Sequence, residues 1–224
     1  MSIQVTELQA IFENRHDAGK RLTAELKEYA GQSAVVLAIP NGGVPVAVEV
    51  ASELKADLDV IICHKLTLSL SPEGSLGAVA DNGVAIINEP ALKRTGLHRQ
   101  QIEHEIGNIK AEIKKQSLLY KTDRPLIRVG GRTVIIVDDG LASGFTTKAA
   151  IQSVRHRRPK EVIVAVPVAP VATIREIEKI ADRVVTYATG LMLKFYISDF
   201  YRHWAEVSND EVSRYLRQWR APQR

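Results

Sequence analysis

"VIIVDDGLASGFT", residues 134–146, sets two acids at the end of an apolar run and follows them with a loop of small and hydroxyl side chains. A short continuous apolar run suits a strand buried on both faces. Asp138 and Asp139 repel each other, and a buried carboxylate is costly without a partner. The pattern therefore calls for a cation, or a group rich in hydroxyls, beside them. Gly140, Ala142, Ser143 and Gly144 are small enough to let backbone N–H groups approach a ligand closely. Ser143, Thr146 and Thr147 add hydroxyl donors, and the helix that begins here aims its positive end at whatever binds. A phosphate suits the amides and a diol suits the acids, so the loop reads as a clamp for a sugar phosphate.

The flanking sequence repeats the same strand-then-helix pattern. "AVVLAI" (34–39), "LDVIIC" (58–63), "TVIIVD" (133–138), "EVIVAVPV" (161–168) and "RVVTYA" (183–188) are apolar runs of strand length. Helices are expected over 45–54, from the 138–147 loop to about residue 157, and over 171–181. An earlier one spans 14–30, with Leu22, Leu26 and Tyr29 on one face and Gly31 as its stop. This alternation predicts an α/β fold: a doubly wound, mainly parallel, five-stranded sheet. Ligands bind beyond the carboxyl ends of such strands, which nominates the loops 40–43, 64–77 and 138–147.

The middle of the chain breaks the pattern. Asp81-Asn82-Gly83 between two apolar runs signals a hairpin, with positive φ accepted at both Asn82 and Gly83. A helix over 98–120 follows, striped by Ile102, Ile106, Ile109 and Ile113. Residues 64–125 are therefore expected as an inserted hairpin-helix subdomain on a core of 30–63 and 130–190. Residues 191–224 are expected as a C-terminal helical hood, whose last helix opens at the capping box Ser208-x-x-Glu211. The whole, 1–224, reads as one domain.

Composition narrows the partners. The chain has 224 residues, 45% hydrophobic, with a formal net charge of +4 and one cysteine. A lone Cys63 excludes an internal disulfide and suits a reducing compartment. No apolar run reaches the ~20 residues that cross a bilayer, and the N-terminal stretch becomes charged too early for a signal peptide. The expectation is a cytoplasmic protein with no membrane partner. "RHRRPK" (155–160) falls at a predicted helix end and is read as a solvated terminus rather than a nucleic-acid patch. G-x-x-x-x-G-K-[ST] and G-x-G-x-x-G are absent, and "GLASG" is not G-x-S-x-G. The histidines show no metal spacing.

The acidic pair, the small-residue loop and Ser143-Gly144-Phe145-Thr146 together resemble the phosphoribosyl pyrophosphate (PRPP) motif of type I phosphoribosyltransferases. "LAIPNGGVPVAVEVA" (37–51) is similar to the pyrophosphate loop of those enzymes. "HKLTLSLSPEGSLGAVADNG" (64–83), "FENRHDAGKRL" (12–22) and "FYISDFYRHWAEVSNDEV" (195–212) resemble a group of predicted phosphoribosyltransferases. The resemblance implies transfer of 5-phosphoribosyl from PRPP to a nitrogen acceptor of nucleobase type, with pyrophosphate as product, in nucleotide metabolism. It implies Asp138 and Asp139 on the ribose hydroxyls, and Gly140, Ala142, Ser143, Gly144, Phe145 and Thr146 around the ribose and 5′-phosphate. It implies backbone amides of Asn41, Gly42 and Gly43 on the pyrophosphate, through a strained or cis peptide, with Lys65 adding charge. Mg²⁺ is implied as cofactor, carried mainly by the substrate without direct protein ligands. The segment 66–77 is expected as a lid, and a homodimer as the assembly. Asn41 departs from the arginine that relatives often carry. Two other readings stay open: a PRPP-binding regulator with an idle site, and another ribose 5-phosphate ester enzyme on the same fold.

Overall fold

In the computed structural model, which describes residues 3–5, 10–67, 76–120, 127–191 and 195–220, a parallel sheet forms the centre. Its strands are β1 (Ile3–Val5), β2 (Val35–Ala38), β3 (Asp57–Val60), β7 (Thr133–Val137), β8 (Glu161–Pro170) and β9 (Arg183–Gly190), in the order β1-β9-β8-β7-β2-β3. β4 (Cys63–Leu66), β5 (Gly77–Ala80) and β6 (Ala85–Ile87) form a separate antiparallel sheet. The helices are α1 (Arg15–Thr23), α2 (Gly43–Leu54), α3 (Glu89–Thr95), α4 (Arg99–Tyr120), α5 (Phe145–Arg155), α6 (Val171–Ile177) and α7 (Asn209–Arg220).

The sheet is apolar on both faces, and the faces divide by alternate residues. Val36, Ala38, Ile135, Val137, Ile163 and Ala165 join the core beneath α2 and α7. Val35, Leu37, Val134, Ile136, Val162 and Val164 join the one beneath α5. That period of two explains why the runs carry no polar face. Five of the six parallel strands match the apolar runs.

Four expectations need correction. The sheet has six strands rather than five: Ile3–Val5 pairs in parallel with β9, Ile3 opposite Ala188. Three residues are too few to show a period. "LDVIIC" is not one strand. The sheet strand stops at Val60, and Cys63 begins β4 in the other sheet. Ile61 and Ile62 stay buried in the connection, as does Cys63 at the start of β4, so the run remains apolar across the break. The first helix is α-helical only to Thr23 and tightens into a 3-10 turn, Ala24–Tyr29. At the hairpin only Gly83 has positive φ (+86°); Asn82 instead accepts the Val84 N–H on Oδ1 at 3.2 Å. This is a three-residue loop closed by glycine rather than a two-residue turn.

α3 was not expected. Asn88 caps it by accepting the Ala91 N–H at 3.2 Å, and Gly96 ends it at φ +68°. The capping box of α7 is present: Glu211 N–H donates to Ser208 Oγ at 3.2 Å, and Ser208 N–H donates to Glu211 Oε2 at 2.9 Å. Most of the expected lid, 68–75, lies outside the described residues. Among the described residues no helix is long and apolar enough to cross a membrane.

Connectivity positions the site. From β2 the chain adds β3 on one side, and from β7 it adds β8 and β9 on the other. The direction of winding therefore reverses between β2 and β7, which pair through Ala38 and Val137 at their carboxyl ends. At such a switch point the two outgoing loops part and leave a crevice. Here those loops are 39–42 and 138–144.

Candidate active site

β7 delivers Asp138 and Asp139 to that crevice, and β2 delivers Asn41, Gly42 and Gly43. The two loops touch. Ile39 N–H donates to the Val137 carbonyl at 2.8 Å, and the Pro40–Asn41 peptide is cis. The glycines are a steric requirement. A Cβ on Gly42 would lie 1.9 Å from Asp139 Oδ2, and one on Gly43 would lie 2.8 Å from the Val137 carbonyl and 2.9 Å from Asp138 Cα.

The acids have unequal surroundings. Asp139 is buried, and Arg15 Nε donates to its Oδ2 at 2.9 Å. Its carbonyl accepts the Tyr201 hydroxyl at 2.6 Å. Asp138 is half-buried, and its Oδ1 accepts the Asp139 N–H at 2.8 Å. Burial, then the charge of Asp139, pushes the Asp138 carboxyl well above the usual carboxylate range. Burial also raises Asp139, with Arg15 acting in the opposite direction. The exposed Lys65 on β4 lowers the proton affinity of both. The three residues expected to carry the chemistry thus share one electrostatic environment.

Beyond the acids, the chain turns into α5. Gly144, at φ +76°, is its N-cap, and no side chain caps the first turn. Ala142 and Ser143 are exposed, while Phe145 and Thr146 are half-buried. The first turn carries no acid and no side chain caps it, a setting that suits an anion.

The expectation for Asn41 concerned its backbone amide, and its side chain is engaged elsewhere. Its Nδ2 donates to the Val207 carbonyl at 2.8 Å and to Asn209 Oδ1 at 3.1 Å. Its Oδ1 accepts from Gln116 Nε2 at 3.1 Å and lies 2.8 Å from the Tyr120 hydroxyl. The side chain ties the loop to α4 and to the start of α7. Burial pushes the Tyr120 phenol up to about 12.

Sequence reasoning missed the strap over these loops. Ile197 packs where a Cβ on Gly140 would sit, Tyr201 reaches Asp139, and Trp204 covers Arg15. "FENRHDAGKRL" and "FYISDFYRHW" resemble relatives, but nothing in their periodicity shows that they meet. Open clefts away from the acids include one of ≈ 590 Å³ with Ile151 and Ile180 in its lining and one of ≈ 950 Å³ with Leu92 and Ile102.

The model of the family described as phosphoribosyl transferase domain matches residues 5–195. The chain belongs to that family. Two Mycobacterium tuberculosis proteins, from strains CDC 1551 / Oshkosh and H37Rv and provisionally named phosphoribosyl transferases, are 36% identical over 206 residues. The match takes in 92% of this chain and 46% of each relative, so the chain spans about half the length of the curated relatives it matches. The crystal structure of TT1426 from Thermus thermophilus is 32% identical and superposes with a TM-score of 0.76, over 93% of this chain and 98% of that one. AQ2163 from Aquifex aeolicus, 12% identical with a TM-score of 0.52 over 83% and 84% of the two chains, shares the fold. The phosphoribosyl transferase match takes in the acid pair, both switch-point loops and the inserted subdomain.

Proposed function

We propose that this site binds PRPP and transfers its 5-phosphoribosyl group to a nitrogen acceptor of nucleobase type, releasing pyrophosphate. One observation carries the reading. The switch-point crevice puts an acid pair between a glycine loop and an uncapped helix N-terminus. The first turn of α5 takes the 5′-phosphate, the acids take the sugar, and the amides of 41–43 take the leaving group. The C1–O bond to pyrophosphate breaks with its electron pair leaving on oxygen. The acceptor nitrogen then bonds to C1 and sheds its proton. Nearby carboxylates favour the positive charge that develops on the sugar, and amides and Lys65 favour the negative charge that departs. Holding both partners in line supplies much of the rate, without a protein nucleophile.

The reading calls for Mg²⁺. Among the described residues no group of three or more His, Cys, Asp and Glu side chains forms a cation cage. In this reading phosphate and ribose oxygens would mainly hold the ion, and it would offset the charge of the leaving group. The buried Cys63 fits work in the cytoplasm, and a homodimer is the assembly we expect.

A binding-only reading draws on Asn41. Its amide is committed to the hood, so the loop brings no cation of its own to the pyrophosphate. Calorimetry with PRPP, with Mg²⁺ and with EDTA, followed by pyrophosphate detection over a panel of bases, separates the two. We expect Mg²⁺-dependent binding and pyrophosphate release with one class of base. Binding without turnover favours the regulator; phosphate or free sugar as product, or no binding, removes the transferase reading.

A further inference from the structure

Arg15 is the first residue of α1 and is 8% exposed. Arginine is almost never that buried without partners. Its guanidinium meets two separate parts of the chain through three contacts. Nε donates to Asp139 Oδ2 at 2.9 Å, Nη1 donates to the Ala205 carbonyl at 2.6 Å, and the Trp204 ring centroid lies 3.8 Å from Cζ. The indole covers the cation, and Ala205 fixes its outer edge. A cation so enclosed is poorly placed to take a phosphate from solution.

Gly42 lies against the same Asp139 oxygen that Arg15 holds. The Cβ position of that glycine is 1.9 Å from Asp139 Oδ2 and 3.2 Å from Arg15 Nε. Asp139 Oδ2 thus meets a cation from α1 and the main chain of the pyrophosphate loop together. Asp138 has no such clamp. It forms no ion pair among the described residues, and Lys65 acts on it from a distance.

We infer that Arg15 is a positioning residue. It draws the Asp139 carboxylate off the ligand and against Gly42, so that Asp139 sets the spacing between the ribose and pyrophosphate loops. Asp138 is then the acid that meets the sugar hydroxyls. The inference rests on the sugar-phosphate reading of the site, and it divides between two residues a role that the motif gives to both. Trp204 and Ala205 join the device because they hold the guanidinium to the Asp139 side.

The test is a double-substitution cycle read by PRPP calorimetry in Mg²⁺: wild type, Arg15→Gln, Asp139→Asn, the pair together, and Arg15→Lys, each checked for folding by its unfolding midpoint. Arg15→Gln is expected to weaken PRPP binding about tenfold or more, because it leaves a buried carboxylate without its cation. The double variant is expected to bind no worse than the weaker single one, since the two act as one unit. Arg15→Lys is expected to recover most of the loss. Affinity in Arg15→Gln is expected to fade at higher pH than in wild type as the solution is acidified. Asp139 then takes up its proton earlier, with Asp138, Lys65 and Tyr201 the other titratable groups acting on it. Lost packing alone would not move that limb. A folded Arg15→Gln protein with wild-type affinity, or losses that add in the double variant, overturns the inference. If the wild type binds no PRPP, the functional reading fails on its own; the cycle read on the unfolding midpoint then decides Arg15, and additive shifts reject its coupling to Asp139.

Discussion

Asp138 and Asp139 are neighbours in sequence that differ in what neutralises them. Asp139 has a cation at 2.9 Å, whereas Asp138 has a backbone N–H and the more distant Lys65. Both carboxyls bind protons more tightly in the folded chain than in the unfolded one. The sign follows from linkage: this contribution to stability is fullest below the ordinary carboxylate pKa and is lost as pH rises through the raised folded value. Without ligand, the pair therefore weakens the fold at neutral and alkaline pH. Asp138→Asn is expected to raise the unfolding midpoint at pH 8 by a few degrees, on the order of 1 kcal/mol, while weakening PRPP binding about tenfold or more. Scanning calorimetry beside PRPP titration checks both halves; a midpoint that falls contradicts the sign. The acids were legible in sequence because their motif is local. Arg15 was not, because nothing in a sequence marks which of its many arginines a tertiary fold will enclose.

At the scale of elements, α7 secures the hood to the core. Val212 and Leu216 are buried, Tyr215 meets His16 Nε2 at 2.9 Å, and Asn209 joins the Asn41 network. At its far end Arg220 Nη2 donates to Asp59 Oδ1 at 3.0 Å, a pair whose side chains are 17% and 10% exposed. Breaking a pair this buried costs more than the pair contributes, since the survivor stays charged in a dry place. Arg220→Met is expected to lose about 3 kcal/mol in urea unfolding, and adding Asp59→Asn is expected to return most of it. Equal loss in both variants would assign the effect to packing instead. The helix itself was readable from Ser208-x-x-Glu211 and its apolar stripe, but its anchor was not, since Asp59 lies 161 residues away. The break at Val60 was hidden for a related reason: continuous burial looks the same in a strand and in a buried connection.

For the whole molecule, strand order makes the crevice and the ligand must bridge it. A compound held by the α5 N-terminus, the acids and the 41–43 loop binds only the folded chain, so it stabilises by mass action. PRPP at a hundred times its dissociation constant is expected to add about 2.7 kcal/mol, roughly 5–10 °C in the midpoint for a chain of this size. EDTA is expected to abolish that shift; a shift unchanged by chelation would remove Mg²⁺ from the reading. Most of this architecture was legible because a doubly wound sheet buries both faces of its strands. The edge contributed by Ile3–Val5 escaped notice because a pairing set by distant residues leaves no local trace.

That short edge has a consequence for handling the protein. Ile3, Gln4 and Val5 shield Ala188, Thr189 and Gly190, the carboxyl end of the β9 border. Removing them would bare main-chain donors and acceptors on a ready-made template, the surface on which foreign strands add. A trimmed N-terminus should therefore be paid for in solubility before any change reaches the crevice.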